Sequence, residues 1–280
     1  MSRILYQGIQ GAYQYLAAKK FFSSKDEFFG AASFAQVFSE ITAGNYDYGL
    51  VAIENNLAGS VVQNYELLNK YEVSIIGEIY LKIDHCLLTK SKEIQNLRKV
   101  FAHPMALAQC EVFLNKYPQI EKVEFSDNAS AAKYVSESGN SSSCAIASVE
   151  CSDLYNLGVL ARKIQDQQNN WTRFIIFRKG KYETGFGEDK TKISISFSLD
   201  HSPGSLVKFL NIFSNSGFNL TKIESRPIKG RNFEYMFSVD AEFLDSSKES
   251  IEEFIEVLGL SSLNLKVLGI YPSSSFDKSQ

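Results

Sequence analysis

The chain has 280 residues, enough for about two domains and far more than a disulfide-held miniprotein needs. Hydrophobic residues are 44% and charged residues 22%, so the chain can bury ordinary cores and is not disordered as a whole. With 29 Lys+Arg against 32 Asp+Glu, the formal net charge of -3 excludes the basic footprint of a nucleic-acid binder but not a local cationic pocket.

In chain order, residues 4–6 read as a strand, 8–11 as a turn and 13–22 as a helix. The stretch 33–43 is a clearer helix. Ser33 and Gln36 form a capping box, Phe34, Val37, Phe38 and Ile41 share one face, and Gly44 ends it. A strand at 48–53, a helix at 61–70 and an extended run at 73–83 follow, leading into 85–89. The pattern then repeats. After a strand at 100–102, Pro104 opens a helix that runs to about Lys116. Next come a strand at 123–125, a helix at 129–138 stopped by Gly139, and a strand at 144–147. Ser148 caps a short helix to Leu154, and 159–161 and 172–177 are strands. Such alternation predicts an α/β domain with parallel or mixed sheets.

Composition shifts toward Gly, Lys and Glu over 178–192, the expected linker. Beyond it, Ile193, Ile195, Phe197 and Leu199 alternate as a half-buried strand. Leu206, Phe209, Leu210 and Phe213 have helical spacing, and Gly217 ends that helix. Strands at 219–226 and 233–243 flank a turn of Lys229, Gly230, Arg231 and Asn232. A helix at 250–258 and a strand at 263–270 complete a ferredoxin-like βαββαβ order. Residues 272–280 form a polar tail, expected to be disordered.

Cys86, Cys110, Cys144 and Cys151 have no C-x-x-C spacing, which speaks against a zinc knuckle or redox pair. They are expected as small buried apolar residues. Met1 leads directly into the first strand with no apolar signal core, and no apolar run approaches the ~20 residues of a membrane span. A reduced, soluble, cytoplasmic protein is expected.

Three segments carry polar chemistry, two of them at strand-to-helix junctions. Glu54-Asn55-Asn56 runs on to Gly59-Ser60 before the third helix, where free N–H groups favour an anion. His103-Pro104 leads into Ala106-Leu107-Ala108-Gln109-Cys110. Asn169-Asn170-Trp171-Thr172-Arg173-Phe174 sets a hydroxyl, a guanidinium and a ring at the start of a strand. Each alone is an ordinary capped turn, a Pro-started helix with a capping His, or a strand edge.

Together and in this order they resemble the prephenate dehydratase family over nearly the whole chain. The resemblance rests on Tyr6-x-Gly8-x-x-Gly11, Asp47-Tyr48-Gly49, Ile53-Glu54-Asn55 with Gly59-Ser60-Val61, and Gly77-Glu78-Ile79. It continues through His85-Cys86-Leu87-Leu88, the His103-to-Cys110 run, Ala145-Ile146-Ala147-Ser148, Ile164-Gln165-Asp166 and Asn170 with Thr172-Arg173-Phe174. The C-terminal unit resembles the ACT domain of that family through His201, Pro203-Gly204-Ser205-Leu206, Gly217-x-Asn219-Leu220-Thr221 and Glu224-Ser225-Arg226-Pro227.

The resemblance implies a catalytic region at 1–180 with two lobes, about 1–80 with 160–180, and 81–159. These would be similar to type 2 periplasmic binding proteins, with the active site in the cleft between them. It implies an ACT regulatory domain at 190–271. The implied reaction turns prephenate into phenylpyruvate, water and carbon dioxide without cofactor or metal. By resemblance, Thr172 is catalytic, with Asn55 and Gln109 as neutral donors that orient substrate. Arg173, Phe174, Glu54, Gly59, Ser60 and Gly11 are expected to bind it. Arg173 or the N–H groups around Gly59-Ser60-Val61 would take the pyruvyl carboxylate, although an ion pair of Arg173 with Glu54 is as well supported.

Phenylalanine is the implied allosteric ligand, at His201, Pro203, Gly204, Ser205, Leu206, Asn219, Leu220, Glu224, Ser225, Arg226 and Pro227. A homodimer or tetramer through the ACT domains is expected, with no nucleic-acid or membrane partner and no fused chorismate mutase module. Ile9, Ala12, Gln14, Ala52 and Asn56 depart from the family pattern, and positions 12 and 14 lack the usual hydroxyls. Two alternatives stand beside this reading: arogenate as substrate, and a non-catalytic amino-acid sensor of the same architecture.

Overall fold

The computed structural model describes residues 1–183, 191–228, 230, 234–243 and 248–274. The chain begins with β1 (Arg3–Gln7), α1 (Tyr13–Phe21), β2 (Glu27–Ala31), α2 (Phe34–Ala43), β3 (Tyr48–Asn55), β4 (Gly59–Ser60), α3 (Val62–Lys70) and β5 (Val73–Lys82). It continues with β6 (Cys86–Thr89), β7 (Lys99–Ala102), α4 (Pro104–Gln109), α5 (Glu111–Leu114), β8 (Glu121–Glu124), α6 (Asn128–Ser138), β9 (Ser143–Ala147), α7 (Glu150–Tyr155), β10 (Gly158–Ala161) and β11 (Trp171–Lys179). Then come β12 (Thr191–Ser198), α8 (Ser205–Asn215), β13 (Asn219–Pro227), β14 (Tyr235–Phe243), α9 (Lys248–Leu260) and β15 (Leu263–Pro272).

Contacts sort the described residues into two units. The first holds Met1–Val37, Leu50–Val61 and Ile79–Phe174, and the second holds Phe38–Gly49, Val62–Glu78 and the chain from Ile175 onward. Helix α3 and β5 through Glu78 therefore count with the C-terminal segment.

Within the first unit, one sheet has the order β10-β6-β9-β7-β8. Its central strands β6, β9 and β7 are buried on both faces, which explains their nearly continuous apolar runs. Leu87, Val100, Cys144 and Ile146 face a core shared with Ala106, Leu107 and Leu114. Their neighbours Cys86, Leu88, Phe101, Ala145 and Ala147 face the opposite core, under Ala129, Ala132 and Val135 of α6. All four cysteines are buried and free, as expected of small apolar residues.

The other sheet of this unit runs β3-β1-β2, with β1 parallel to β2 from Arg3↔Glu27 to Gln7↔Ala31. β2 is absent from the sequence reading. It is a short edge strand containing Gly30, whose pattern is not alternating. Gly30 is required: a Cβ there would lie 2.2 Å from the Gly8 carbonyl.

Local structure corrects several other expectations. The helix from Pro104 breaks at Cys110 (φ -114, ψ 22) instead of reaching Lys116. Asp166 explains the break: its N–H donates to the Gln109 carbonyl at 2.7 Å, and its carboxylate accepts from Val112 N at 3.1 Å. His103 caps α4 as expected, with Nδ1 accepting from Met105 N at 3.2 Å. Ser148 does not cap α7; its hydroxyl donates to the Gly11 carbonyl at 2.9 Å. The Ser33–Gln36 box is half formed. Ser33 Oγ accepts from Gln36 N, but Gln36 Oε1 accepts from Ala32 N, one residue outside the cap. The expected linker is shorter than 178–192. Arg178 and Lys179 finish β11, and Thr191 and Lys192 begin β12.

In the second unit the strands order β13-β14-β12-β15, all antiparallel, in the expected βαββαβ arrangement. Ile193, Ile195 and Phe197 pack with Phe209 and Phe213 of α8 and Phe254 and Leu258 of α9. The alternate residues of β12 face a buried polar layer. Ser194 Oγ donates to Asp240 Oδ1 at 2.6 Å, and Lys192 Nζ lies 2.6 Å from Glu78 Oε1. β15 pairs in parallel with β5 at Gly269↔Ile75, and a Cβ on Gly269 would lie 2.3 Å from the Ile75 carbonyl. Lys266 Nζ donates to the carbonyls of Leu68, Asn69 and Tyr71 at 2.8–3.1 Å, closing the C-terminal end of α3. Lys229, Arg231 and Asn232 of the expected turn, and residues 275–280 of the expected tail, lie outside the described residues. Among the described residues no helix is long and apolar enough to cross a membrane.

Candidate active site

A cavity of about 280 Å³ opens within the first unit, lined from both of its sheets. Gln7, Ala52, Asn55, Thr172 and Phe174 come from the strands β1, β3 and β11. His85, His103, Gln109, Ala129 and Ser148 come from the segments around β6, α4, α6 and β9. Gly8, Gly11 and Ala12 come from the turn between β1 and α1, and Tyr13 and Gln14 from the first turn of α1. The wall is largely apolar, and among the described residues no lysine or arginine lines it.

The three residues expected to be catalytic meet here, Asn55 and Thr172 directly and Gln109 through Asn170. Asn55 Nδ2 donates to Thr172 Oγ1 at 3.0 Å, to Asn170 Oδ1 at 2.7 Å and to the Trp171 carbonyl at 3.0 Å. Asn170 Nδ2 donates to Gln109 Oε1 at 3.0 Å. Gln109 Oε1 lies 3.1 Å from His85 Nε2, and Tyr13 OH lies 3.1 Å from His85 Nδ1 while donating to the Asp84 carbonyl at 2.8 Å.

These groups are dry. His85 is 2% exposed, Asn170 0% and Thr172 9%. Burial lowers the His85 pKa from its usual value, against smaller raising effects of the Gln109 hydrogen bond and of Asp84. Burial also holds the Tyr13 phenol well above its usual value, with Cys86 and Cys151 adding to the effect.

Among the expected substrate-binding residues, Phe174 and Gly11 line the cavity. Gly11 has φ +90, and a Cβ there would meet Cys151 Sγ at 2.6 Å. Arg173 and Glu54 are not part of the lining. Arg173 is 6% exposed, and its Nη1 lies 3.9 Å from Glu54 Oε2, so the guanidinium faces a carboxylate of its own chain. Gly59 and Ser60 form β4 against Asn55 and Glu54, and the Val61 N–H is taken by the Ile53 carbonyl at 2.9 Å. That last N–H is not available to a carboxylate.

Three residues of the network were not assigned a role from the sequence. Tyr13 stands in the sequence only as the first residue of a helix, between the departing Ala12 and Gln14, and Asn170 and His85 only as hallmark letters. His85 and His103, far apart in sequence, border the same cavity. The departing Asn56 has a local role: its side chain bonds Trp171 N at 2.8 Å and the Asn169 carbonyl at 2.7 Å, holding the start of β11.

Of the expected allosteric residues, His201, Ser205 and Leu206 line a second hollow of about 140 Å³ with Glu234, Tyr235 and Phe237. Pro203 and Gly204 form the turn before α8, with Gly204 at φ 81. Glu224, Ser225, Arg226 and Pro227 occupy the end of β13 that pairs with Tyr235–Ser238, whereas Asn219 and Leu220 lie at its far end against Glu242 and Ala241.

Comparison with known proteins agrees with this architecture. The family model "Prephenate dehydratase" matches residues 4–182, and "ACT domain" matches 193–259. A bifunctional chorismate mutase/prephenate dehydratase of Aquifex aeolicus is 36% identical over 97% of this chain and 74% of its own length. Arogenate dehydratase 2 of Petunia hybrida is 37% identical over 98% of this chain and 72% of its own. Among solved structures, prephenate dehydratase of Arthrobacter aurescens in complex with L-Phe superposes with a TM-score of 0.85 at 26% identity, covering 97% of this chain and 90% of that one. GqqA, described as a novel type of quorum quenching acylase, superposes with a TM-score of 0.86 at 29% identity, covering 98% and 99%.

Proposed function

The chain belongs to the prephenate dehydratase family and carries an ACT domain, and on that premise we propose that it converts prephenate to phenylpyruvate, water and carbon dioxide. The observation that carries the proposal is the Asn55–Thr172 pair at the cavity wall. Asn55 Nδ2 donates to Thr172 Oγ1, so the threonine oxygen is already an acceptor. Its own proton has no hydrogen-bond acceptor among the described residues and can turn to the leaving hydroxyl.

The chemistry then balances simply. The bond from the ring to its carboxylate breaks and releases carbon dioxide. That electron pair completes the aromatic ring and expels the ring C–O bond. The departing oxygen takes a proton from Thr172 and leaves as water, and the threonine proton is restored from solvent. A positioned proton donor supplies ~10²–10⁴-fold in rate.

A lining without lysine or arginine suits this reaction. The ring carboxylate loses its charge as carbon dioxide forms, so a strong ion pair there would hold the ground state more than the transition state. Gln109 offers a neutral donor, and α1 opens on the cavity at Ala12 with no side-chain cap on its first turn. Arg173 acts instead by tying β11 to Glu54, next to the catalytic threonine.

We assign the catalytic domain to 1–180 and the regulatory domain to 190–271. Phenylalanine is the proposed inhibitor, bound at the hollow beside His201, Ser205 and Leu206, with ACT domains joining subunits. Substrate and phenylalanine must then weaken each other's binding equally.

Arogenate is a second substrate to consider. Gln14 Oε1 is a buried acceptor bordering the cavity, with no hydrogen bond among the described residues. An ammonium group, present in arogenate and absent from prephenate, would satisfy it. The test is purified protein with each substrate, following phenylpyruvate or phenylalanine, with and without added phenylalanine. Turnover of prephenate that falls with phenylalanine is expected. Turnover of neither substrate would overturn the assignment.

A further inference from the structure

The hydrogen-bond network has a direction, and it can be derived from one end. Asn55 Oδ1 lies 3.0 Å from Leu57 N and 2.8 Å from Ala58 N. Two backbone N–H donors cannot face an NH2 group, so the Asn55 amide cannot be turned over. Its Nδ2 must therefore point at Asn170, whose facing atom must be the oxygen. Asn170 then presents Nδ2 to Gln109, whose facing atom must again be the oxygen. That oxygen also lies 3.1 Å from His85 Nε2, so the imidazole must bring a proton on Nε2. A neutral imidazole carries one proton, which leaves Nδ1 bare, and the Tyr13 hydroxyl, 3.1 Å from Nδ1 and 2.8 Å from the Asp84 carbonyl, divides its single proton between those two acceptors.

We infer that His85, held as the Nε2–H tautomer, and Asn170 are positioning residues that lock Gln109 with its NH2 group toward the cavity. Gln109 Oε1 receives both Asn170 Nδ2 and His85 Nε2, so both of its lone pairs are used. Gln109 Nε2 has no hydrogen bond to the protein among the described residues, and Gln109 lines the cavity. Without the lock, the amide could rotate and turn an oxygen toward a doubly negative substrate. Two backbone amides at Leu57 and Ala58 thus set the polarity of a side chain at the far end of the chain of bonds. The inference deepens the dehydratase reading and rests on it for the identity of the substrate.

The groups around His85 agree with a neutral ring. Tyr13, Asp84 and Gln109 are its polar neighbours, and Asp84 Oδ1 is itself engaged by Gln165 Nε2 at 2.7 Å. Cys86 follows it in sequence and, like Cys151, keeps its thiol protonated by burial.

The test uses the full chain in two ways. The first is nitrogen-15 NMR of histidine-labelled protein, simplified by the presence of only 3 histidines. At pH 7 the His85 ring is expected to show a protonated Nε2 and a bare Nδ1. A protonated Nδ1, with or without Nε2–H, overturns the inference. The second compares His85→Gln with His85→Leu in prephenate turnover. His85→Gln keeps a donor for Gln109 Oε1, whereas His85→Leu keeps only bulk. His85→Leu is expected to raise KM by roughly tenfold, the worth of one hydrogen bond to a charged group, with a smaller change in kcat. His85→Gln should recover most of that rise. Equal KM values for the two variants overturn the inference. If the wild-type protein turns over no prephenate, the dehydratase reading fails, while the spectrum still reports the tautomer.

Discussion

Replacing Thr172 by Val separates chemistry from folding because the structure makes the two costs so unequal. Valine keeps the shape of threonine at a position only 9% exposed, so no cavity opens. The bond lost is the one accepted from Asn55 Nδ2, and that amide retains Asn170 Oδ1 at 2.7 Å and the Trp171 carbonyl at 3.0 Å. The stability cost is therefore that of a single neutral hydrogen bond, about 1 kcal/mol. The chemical cost is much larger. Losing a positioned acid costs ~10²–10⁴-fold in kcat, or about 3–5 kcal/mol at 1.36 kcal/mol per decade. The assay is phenylpyruvate formation from prephenate, with a thermal melt on the same sample. Thr172→Ser, which keeps the hydroxyl, should retain most of the turnover. A Thr172→Val enzyme that folds normally and turns over within about threefold of wild type would refute the assignment, since ~10²-fold is the least a positioned acid supplies.

Other expectations concern the scaffold. Lys192→Met removes the ammonium 2.6 Å from the buried Glu78 and should cost about 3–5 kcal/mol, whereas Lys192→Met with Glu78→Met should recover most of it in a denaturant melt. A double variant no more stable than the single one would contradict that account. Gly11→Ala forces a side chain onto φ +90 and into Cys151 Sγ, for a loss of about 2–4 kcal/mol; adding Cys151→Ala should relieve only the contact part. Burial pushes the Cys110 and Cys144 thiols up to about 12, so at pH 8 only about 10⁻⁴ of each is thiolate. Iodoacetamide should leave both unmodified in the folded protein and label them in denaturant. Labelling within minutes in the native state would show that the two-sided sheet opens readily.

Much of the architecture was legible because it is written in local periodicities. The alternation of Ile193, Ile195 and Phe197 and the helical spacing of Phe209 and Phe213 each place one face in a core, as the second unit shows. Start and stop signals worked where one residue suffices, as with Gly139 at φ 66 or Pro104 at the head of α4. They failed where a distant partner decides. The helix from Pro104 breaks because Asp166, 56 positions on from Cys110, takes groups that a continuing helix would use. Ser148 reads as a cap but bonds the carbonyl of Gly11, 137 residues away.

The sequence by itself determined the family, the α/β and βαββαβ orders and the identity of Thr172, Asn55 and Gln109 as candidates, because ordered motifs and short-range patterns are properties of the chain alone. Only the tertiary structure decided what those residues do to one another. It set Asn55 beside Asn170 across 115 positions and Gln109 beside His85 across 24, and it turned Arg173 toward Glu54. It also brought α3 under the carbonyl-binding ammonium of Lys266, 198 residues from Leu68. The reason is physical. A buried amide or imidazole must find a partner for each donor and acceptor, and which partner it finds depends on what the fold places within about 3 Å, not on what stands beside it in sequence.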